Sequence, residues 1–90
     1  MFKMSIDTKG LRGYENEGVR WYKYQMLGNA KDNAMSLAQY RMEQMGASRK
    51  EIEAMIDAIW DIDLDYAEEY RSTSVKWERA GKSVTVTIRW

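Results

Sequence analysis

Apolar and polar residues alternate at the start of the chain. Phe2, Met4 and Ile6 are apolar, and polar residues stand between them. Because a period of two places these side chains on one face, residues 2–7 are predicted to form a strand with one buried face. Three glycines lie among charged residues at positions 8–18, and this composition predicts a loop.

The pattern at residues 19–27 is compatible with two structures. Its β-branched and aromatic residues favour a strand. Val19, Tyr22 and Met26 also follow a helical spacing, but a helix that continued from them would hold Gly28 in its interior at a cost of about 1 kcal/mol. We therefore expect a strand that ends near Gly28, with a helix as the alternative.

Two helices are predicted in the middle of the chain. Apolar residues recur at helical spacing over about 30–45, with Asn29 as the N-cap and Gly46 as the residue that ends the helix. A capping-box sequence begins at Ser48 and starts a second helix over 49–71. Since the turn between them is short, the two helices should form an antiparallel hairpin.

Asp63 does not fit a continuous second helix. It would lie on the core face between Ile59 and Tyr70, where an unpaired carboxylate is costly. The helix is therefore expected to bend or break between Trp60 and Asp65, or to provide Asp63 with a buried basic partner. An unpacked helix end that leaves Asp63 exposed is the third option.

The end of the sequence alternates again and predicts a β-hairpin. With a two-residue loop at 80–81, Trp77 faces Val84 and Val75 faces Val86, so that the apolar residues share one side. The fold class is therefore α+β: an antiparallel helix hairpin packed on a small antiparallel sheet, formed by the N-terminal strand and the C-terminal hairpin. The length of 90 residues predicts one domain.

The chain contains neither histidine nor cysteine. Without them a Ser-His or Cys-His nucleophile system cannot form, and zinc, haem and iron–sulfur ligation is disfavoured. We therefore expect no enzyme activity, no cofactor and no metal site. With no long apolar run and no leader-like segment, we expect a cytoplasmic protein with no membrane partner.

A calcium loop is a separate question, because aspartates alternate at 61, 63 and 65. The EF-hand pattern needs glycine at its sixth position and glutamate at its twelfth. Tyr66 and Ser72 occupy those positions. The spacing therefore argues against calcium binding.

Charge is distributed very unevenly along the chain. Residues 51–70 include eight of the 14 acidic side chains and none of the 14 basic ones, which leaves 14 basic against six acidic residues elsewhere. Many of these carboxylates recur every fourth residue in the second predicted helix, where like charges destabilise a helix. The candidate partner-binding residues are Glu53, Asp57, Asp61, Asp65, Glu68 and Glu69. The structural alternative is a solvated face that the chain's own cations partly neutralise.

A row of carboxylates resembles the charge row of a nucleic-acid strand. The leading hypothesis is therefore a non-enzymatic protein-binding module that presents this face to the basic groove of a nucleic-acid-handling protein. An inhibitor of the anti-CRISPR or anti-restriction type would act in this way. The composition is similar in type to that of many phage or mobile-element accessory proteins, although no motif supports the likeness. The alternative class is an assembly protein, such as a virion component or a homo-oligomer.

Cations and aromatic residues define a third hypothesis, direct binding of single-stranded nucleic acid. Its candidate residues are Arg20, Trp21, Lys23, Lys76, Arg79 and Lys82. The structural alternative is a set of core aromatics with charged neighbours. Direct nucleic-acid binding is the less expected function, because the acidic segment repels phosphates unless it faces away.

Overall fold

The computed structural model describes residues 1–14, 20–64 and 71–90 of the chain. The elements are β1 (Phe2–Lys9), β2 (Trp21–Tyr24), α1 (Leu27–Gln44), α2 (Arg49–Trp60), β3 (Ser72–Arg79) and β4 (Lys82–Arg89). The four strands form one antiparallel sheet in the order β2-β1-β4-β3. Both helices pack on one side of it, α1 over β1 and β4 and α2 over β3. The α+β prediction is confirmed.

The C-terminal hairpin has the predicted register. Trp77 pairs with Val84, and Val75 pairs with Val86. The loop residues 80–81 have φ angles of 49° and 81°, as the tight turns that match strand twist require. The first strand lies beside this hairpin, because β1 pairs with β4 at the centre of the sheet.

The core lies between the sheet and the helices. The helix-facing side of the central strands is mostly apolar, with Phe2, Met4, Ile6, Val84, Val86 and Ile88 buried there. Ala30, Ala34 and Ala38 of α1 are fully buried, so that the helix backbone lies close to the sheet. Buried methionines fill the remaining core volume, as their flexible side chains allow. These are Met42, Met45 and Met55.

The region at residues 19–27 contains a strand, but its end and the following helix differ from the prediction. The strand ends at Tyr24, and α1 begins at Leu27 with Met26 as its N-cap, in place of Asn29. Ala30 N–H donates to the Met26 carbonyl at 3.2 Å, which closes the first turn. The earlier start lets Leu27 pack against the core.

The second helix is shorter than predicted. It ends at Trp60, so the prediction of helix for 61–64 is wrong. Ile62 and Leu64 are buried, while Asp63 between them is exposed. A break in the helix was one of the expected outcomes for Asp63. The non-helical segment turns its carboxylate towards solvent. The rest of the predicted helix, 65–70, lies outside the described residues, as do residues 15–19 of the predicted loop and strand.

One acidic side chain of the charged segment has a structural role. The predicted capping box is present, and the Glu51 carboxylate accepts a hydrogen bond from Ser48 N–H at 3.0 Å. It also accepts one from Trp77 Nε1 at 2.6 Å and pairs with Arg79 Nη1 at 3.1 Å. The hydrogen bond from Trp77 has the largest effect on the pKa of Glu51. Together with the hydrogen bonds from Ser48 and the charge of Arg79, it lowers this pKa from 4.5 to about 2. Glu51 therefore joins the start of α2 to β3.

Replacing Glu51 with glutamine is expected to lower the free energy of unfolding at neutral pH. Because folding lowers the pKa of this group from 4.5 to about 2, its contribution is complete above the unfolded value and is lost as the pH falls towards the folded one. The gap between the variant and the wild type should therefore close between about pH 5 and pH 2. Urea unfolding followed by tryptophan fluorescence across this range measures it.

Glu53→Gln is the matched control for this prediction. It removes the same charge from an exposed side chain, whose ion pair with Arg49 is also exposed, and such pairs contribute little. Its unfolding free energy should follow that of the wild type. A gap for Glu51→Gln that stays constant across the pH range would contradict the assigned role.

Candidate functional site

The exposed side of α2 forms an acidic surface around one tryptophan. Glu53, Asp57 and Asp61 of the predicted acidic row lie here, and all three are exposed. Trp60 lies among them with 60% of its surface exposed. We call these four residues the α2 surface. The other predicted partner-binding residues, Asp65, Glu68 and Glu69, lie outside the described residues.

Trp60 is absent from the sequence-derived candidates, although its spacing could have identified it. It follows Glu53 by seven residues and Asp57 by three, and both separations place residues on the same face of a helix. An isolated exposed apolar residue is common on protein surfaces. Tryptophan, however, is enriched at the energetic centres of interfaces. A tryptophan surrounded by carboxylates is therefore a stronger indication of a binding site than either feature alone.

Lys31 of α1 fixes this end of α2. Its Nζ donates a hydrogen bond of 2.6 Å to the carbonyl oxygen of Trp60. The same atom lies 5.6 Å from the centroid of the Trp60 ring, within the range of a cation–π interaction. One side chain thus satisfies a carbonyl that the helix end leaves open and contacts the exposed ring. Such preorganisation reduces the entropy that binding would otherwise cost.

The charges at the C-terminal end of α2 oppose the helix dipole, and the N-terminal end has both signs, with Glu51 in the first turn. Arg49 and Lys50 occupy its first two positions, where positive charge is unfavourable. Asp57 lies in its last turn and Asp61 is its C-cap, and no basic residue occupies that turn. Each unfavourable charge at a helix end costs about 0.3–1 kcal/mol. The stability of α2 therefore does not explain these carboxylates.

Internal neutralisation reaches only part of the α2 surface. Arg49 Nε pairs with Glu53 at 3.1 Å, but both side chains are largely exposed, so the pair is weak. Among the described residues, Asp57 and Asp61 have no cation within ion-pair distance. The alternative of an internally neutralised face thus applies to Glu53, while the other two carboxylates stay available.

A groove between the two helices borders the α2 surface. Its lining is Gln39, Glu43, Arg49, Ile52, Glu53 and Ile56. The two isoleucines are half-buried, and Gln39 donates to Glu43 at 3.0 Å. A partner on the α2 surface would therefore also contact apolar area, which binding through charges alone lacks.

The structure divides the predicted basic-aromatic set between the two sides of the sheet. The side away from the helices includes Trp21, Lys23 and Lys76, and Arg20 is exposed just before β2. On the helix side, Arg79 pairs with Glu51, and Lys82 donates to the carbonyl of Met45 at 3.2 Å. The last two cations thus have structural partners and do not belong to a common platform with the others.

The α2 surface offers carboxylates and one indole ring, and the groove beside it adds apolar area. Within the described residues, no three acidic side chains are grouped so that they could hold a metal ion. Neither helix, over the same residues, is long and apolar enough to cross a membrane. No protein-family model, curated protein or solved structure matches the chain. Function is therefore inferred from the surface chemistry alone.

Proposed function

We propose that this chain is a non-enzymatic protein-binding module, and that the α2 surface binds a cationic surface of a protein partner. One observation supports this above the others. Trp60 is 60% exposed beside Asp57 and Asp61, whose charges oppose the helix dipole and have no cationic partner among the described residues. Stability alone would not favour this arrangement, whereas an interface needs an aromatic anchor and charges that select the partner.

The chemistry of the α2 surface indicates the partner's side chains. Carboxylates accept paired hydrogen bonds from arginine, and the face of an indole ring attracts guanidinium and ammonium groups. A surface rich in arginine and lysine therefore fits best. Such surfaces are typical of proteins that hold nucleic acids. On this proposal the chain is a cytoplasmic inhibitor that occupies the basic groove of a nucleic-acid-processing complex, such as a CRISPR or restriction effector.

The double substitution Asp57→Asn and Asp61→Asn should stabilise the fold and weaken partner binding. It removes two negative charges from the negative end of α2, each worth about 0.3–1 kcal/mol, so the free energy of unfolding should rise by about 1 kcal/mol. Urea unfolding measures this gain without knowledge of the partner. Asp7→Asn with Asp32→Asn makes the same charge change away from the α2 surface and should bring no gain.

Binding is tested by capture from a lysate of the cells that produce the chain, treated with nuclease to remove bridging nucleic acid. The proposal predicts a protein that the wild type and the Asp7/Asp32 control both retain and the Asp57/Asp61 variant releases. Equal retention by all three, or no retention by the wild type, would contradict it. Light scattering on the same samples detects self-association. Oligomers that only the Asp57/Asp61 variant fails to form would favour the assembly role instead.

A further inference from the structure

The sheet has a second charged surface on the side away from the helices. Lys3 lies directly opposite Lys23 on one neighbouring strand and opposite Arg89 on the other. Because adjacent strands are about 4.8 Å apart, these three cations form one row across β2, β1 and β4. Trp21 lies two residues along β2 from Lys23, on the same side. We call these four residues the cationic corner.

The stability of the sheet does not explain this row. Like charges directly opposite each other on neighbouring strands are destabilising. Among the described residues, Lys3, Lys23 and Arg89 have no ion pair with a carboxylate. The rest of the open side is more balanced, since Lys76 pairs there with Glu78 at 2.8 Å. Within the part of the chain that the structure describes, positive charge without a carboxylate partner is thus concentrated at one end of the sheet.

Trp21 and Arg89 contact each other across the strand between them. The Cζ atom of Arg89 lies 4.6 Å from the centroid of the Trp21 ring. Between them, on β1, lies Ser5, which is only 5% exposed although it is on the open side. Trp21 itself stays 41% exposed. No described residue accepts a hydrogen bond from the Arg89 guanidinium, and its Nε is buried without an acceptor. The contact holds an aromatic ring and a cation in place at the sheet surface.

We propose that the cationic corner binds single-stranded nucleic acid, with phosphates at Lys3, Lys23 and Arg89 and one base stacked on Trp21. The charge complementarity favours a polyanion, and the exposed indole favours an unpaired base over a closed duplex. Hydroxyl groups lie in the next row of the sheet, where Ser74 and Thr87 are hydrogen-bonded at 2.7 Å. They add donors and acceptors for sugar and base atoms.

The cationic corner is separate from the α2 surface, since the sheet lies between them. Nucleic-acid binding here does not depend on the proposed protein partner, and either proposal can fail alone. Repulsion of phosphates by the acidic segment was the argument against nucleic-acid binding. For Glu53, Asp57 and Asp61 this argument does not apply, because they face away from the cationic corner. These carboxylates are on the helix layer, on the opposite side of the sheet from Lys3.

The test is fluorescence anisotropy with a labelled single-stranded oligothymidine at several salt concentrations. Three phosphate contacts predict a slope of log K against log salt of about −2 for the wild type. Lys3→Gln with Lys23→Gln should reduce the slope to about −0.7. Arg12→Gln with Lys50→Gln removes two exposed cations elsewhere and should bind like the wild type. Trp21→Leu keeps apolar cover over the strand but should weaken binding by about fivefold or more.

Four results would overturn the proposal. They are no binding at low salt, an equal loss in the Arg12/Lys50 control, equal affinity for the duplex form of the oligonucleotide, and displacement by polyglutamate at equal charge concentration. Sedimentation of the free protein gives one more test. Self-association that is lost when Lys3 and Lys23 are replaced would identify a second copy of this chain as the occupant. Circular dichroism of each variant confirms that it is folded.

Discussion

Replacing Ile59 with alanine is expected to lower the free energy of unfolding by about 2–5 kcal/mol. The side chain is fully buried, and within α2 only Met55 is buried to a similar degree. These two residues anchor α2 in the core, so the cavity would open where the helix meets the sheet. A small domain has about 5–15 kcal/mol in total, so this loss is a large part of the stability of the fold. Urea unfolding followed by circular dichroism measures the loss.

Ile56→Ala is the matched control for this cavity. It deletes the same atoms from the same helix, but Ile56 is half-buried and borders the open groove between the helices. Part of its surface already contacts water, so the expected cost is about 1 kcal/mol or less. Equal losses for Ile56→Ala and Ile59→Ala would show that α2 does not pack through the Met55 and Ile59 side.

Replacing the next residue, Trp60, with alanine should leave the stability nearly unchanged and weaken partner binding. Its side chain is mostly exposed, and alanine is the better helix former, so the free energy of unfolding should change by less than about 0.5 kcal/mol. Partner binding should weaken by about 2 kcal/mol, or about 30-fold, because aromatic anchors dominate interface energies. Calorimetric titration with the captured partner measures the loss.

Trp60→Phe tests whether the loss of binding comes from losing the aromatic contact or from a change in the helix. It keeps a smaller ring and should retain part of the affinity that Trp60→Ala loses. An affinity for Trp60→Ala within about threefold of the wild type would exclude the ring as an anchor. A large loss of stability in Trp60→Ala would instead show that the ring belongs to the core.

Local patterns in the sequence predict the hairpin and the capping box well. A one-residue slip of β3 against β4 would place Trp77 and Val75 opposite polar residues, so alternation alone determines their register. The start of α1 has no such local signal. Its N-cap, Met26, makes no side-chain hydrogen bond, and the first helical residue, Leu27, is partly buried against the core. That burial depends on tertiary packing, which the sequence pattern does not contain.

The two candidate binding surfaces also differ in how far local sequence patterns predict them. Helical spacing brings Glu53, Asp57 and Asp61 together, and Asp63 indicates a break because it could not enter the core. No capping residue in the sequence predicts that α2 ends at Trp60. Lys3 and Arg89 become neighbours only when β1 pairs with β4, a contact between distant parts of the chain. The row of the cationic corner therefore could not be derived from local patterns.

The central position of the β1–β4 pair also has a consequence for synthesis of the protein. Lys3 pairs with Arg89, so one edge of β1 has no hydrogen-bonding partner until β4 has left the ribosome. The helix hairpin contains local contacts and can form earlier, whereas pairing of distant strands is slow. α1 can cover Phe2, Met4 and Ile6 during this interval, but the edge of β1 that faces β4 stays unpaired. An unpaired strand edge can pair with another chain, so emergence of β4 is the step that removes this aggregation hazard from β1.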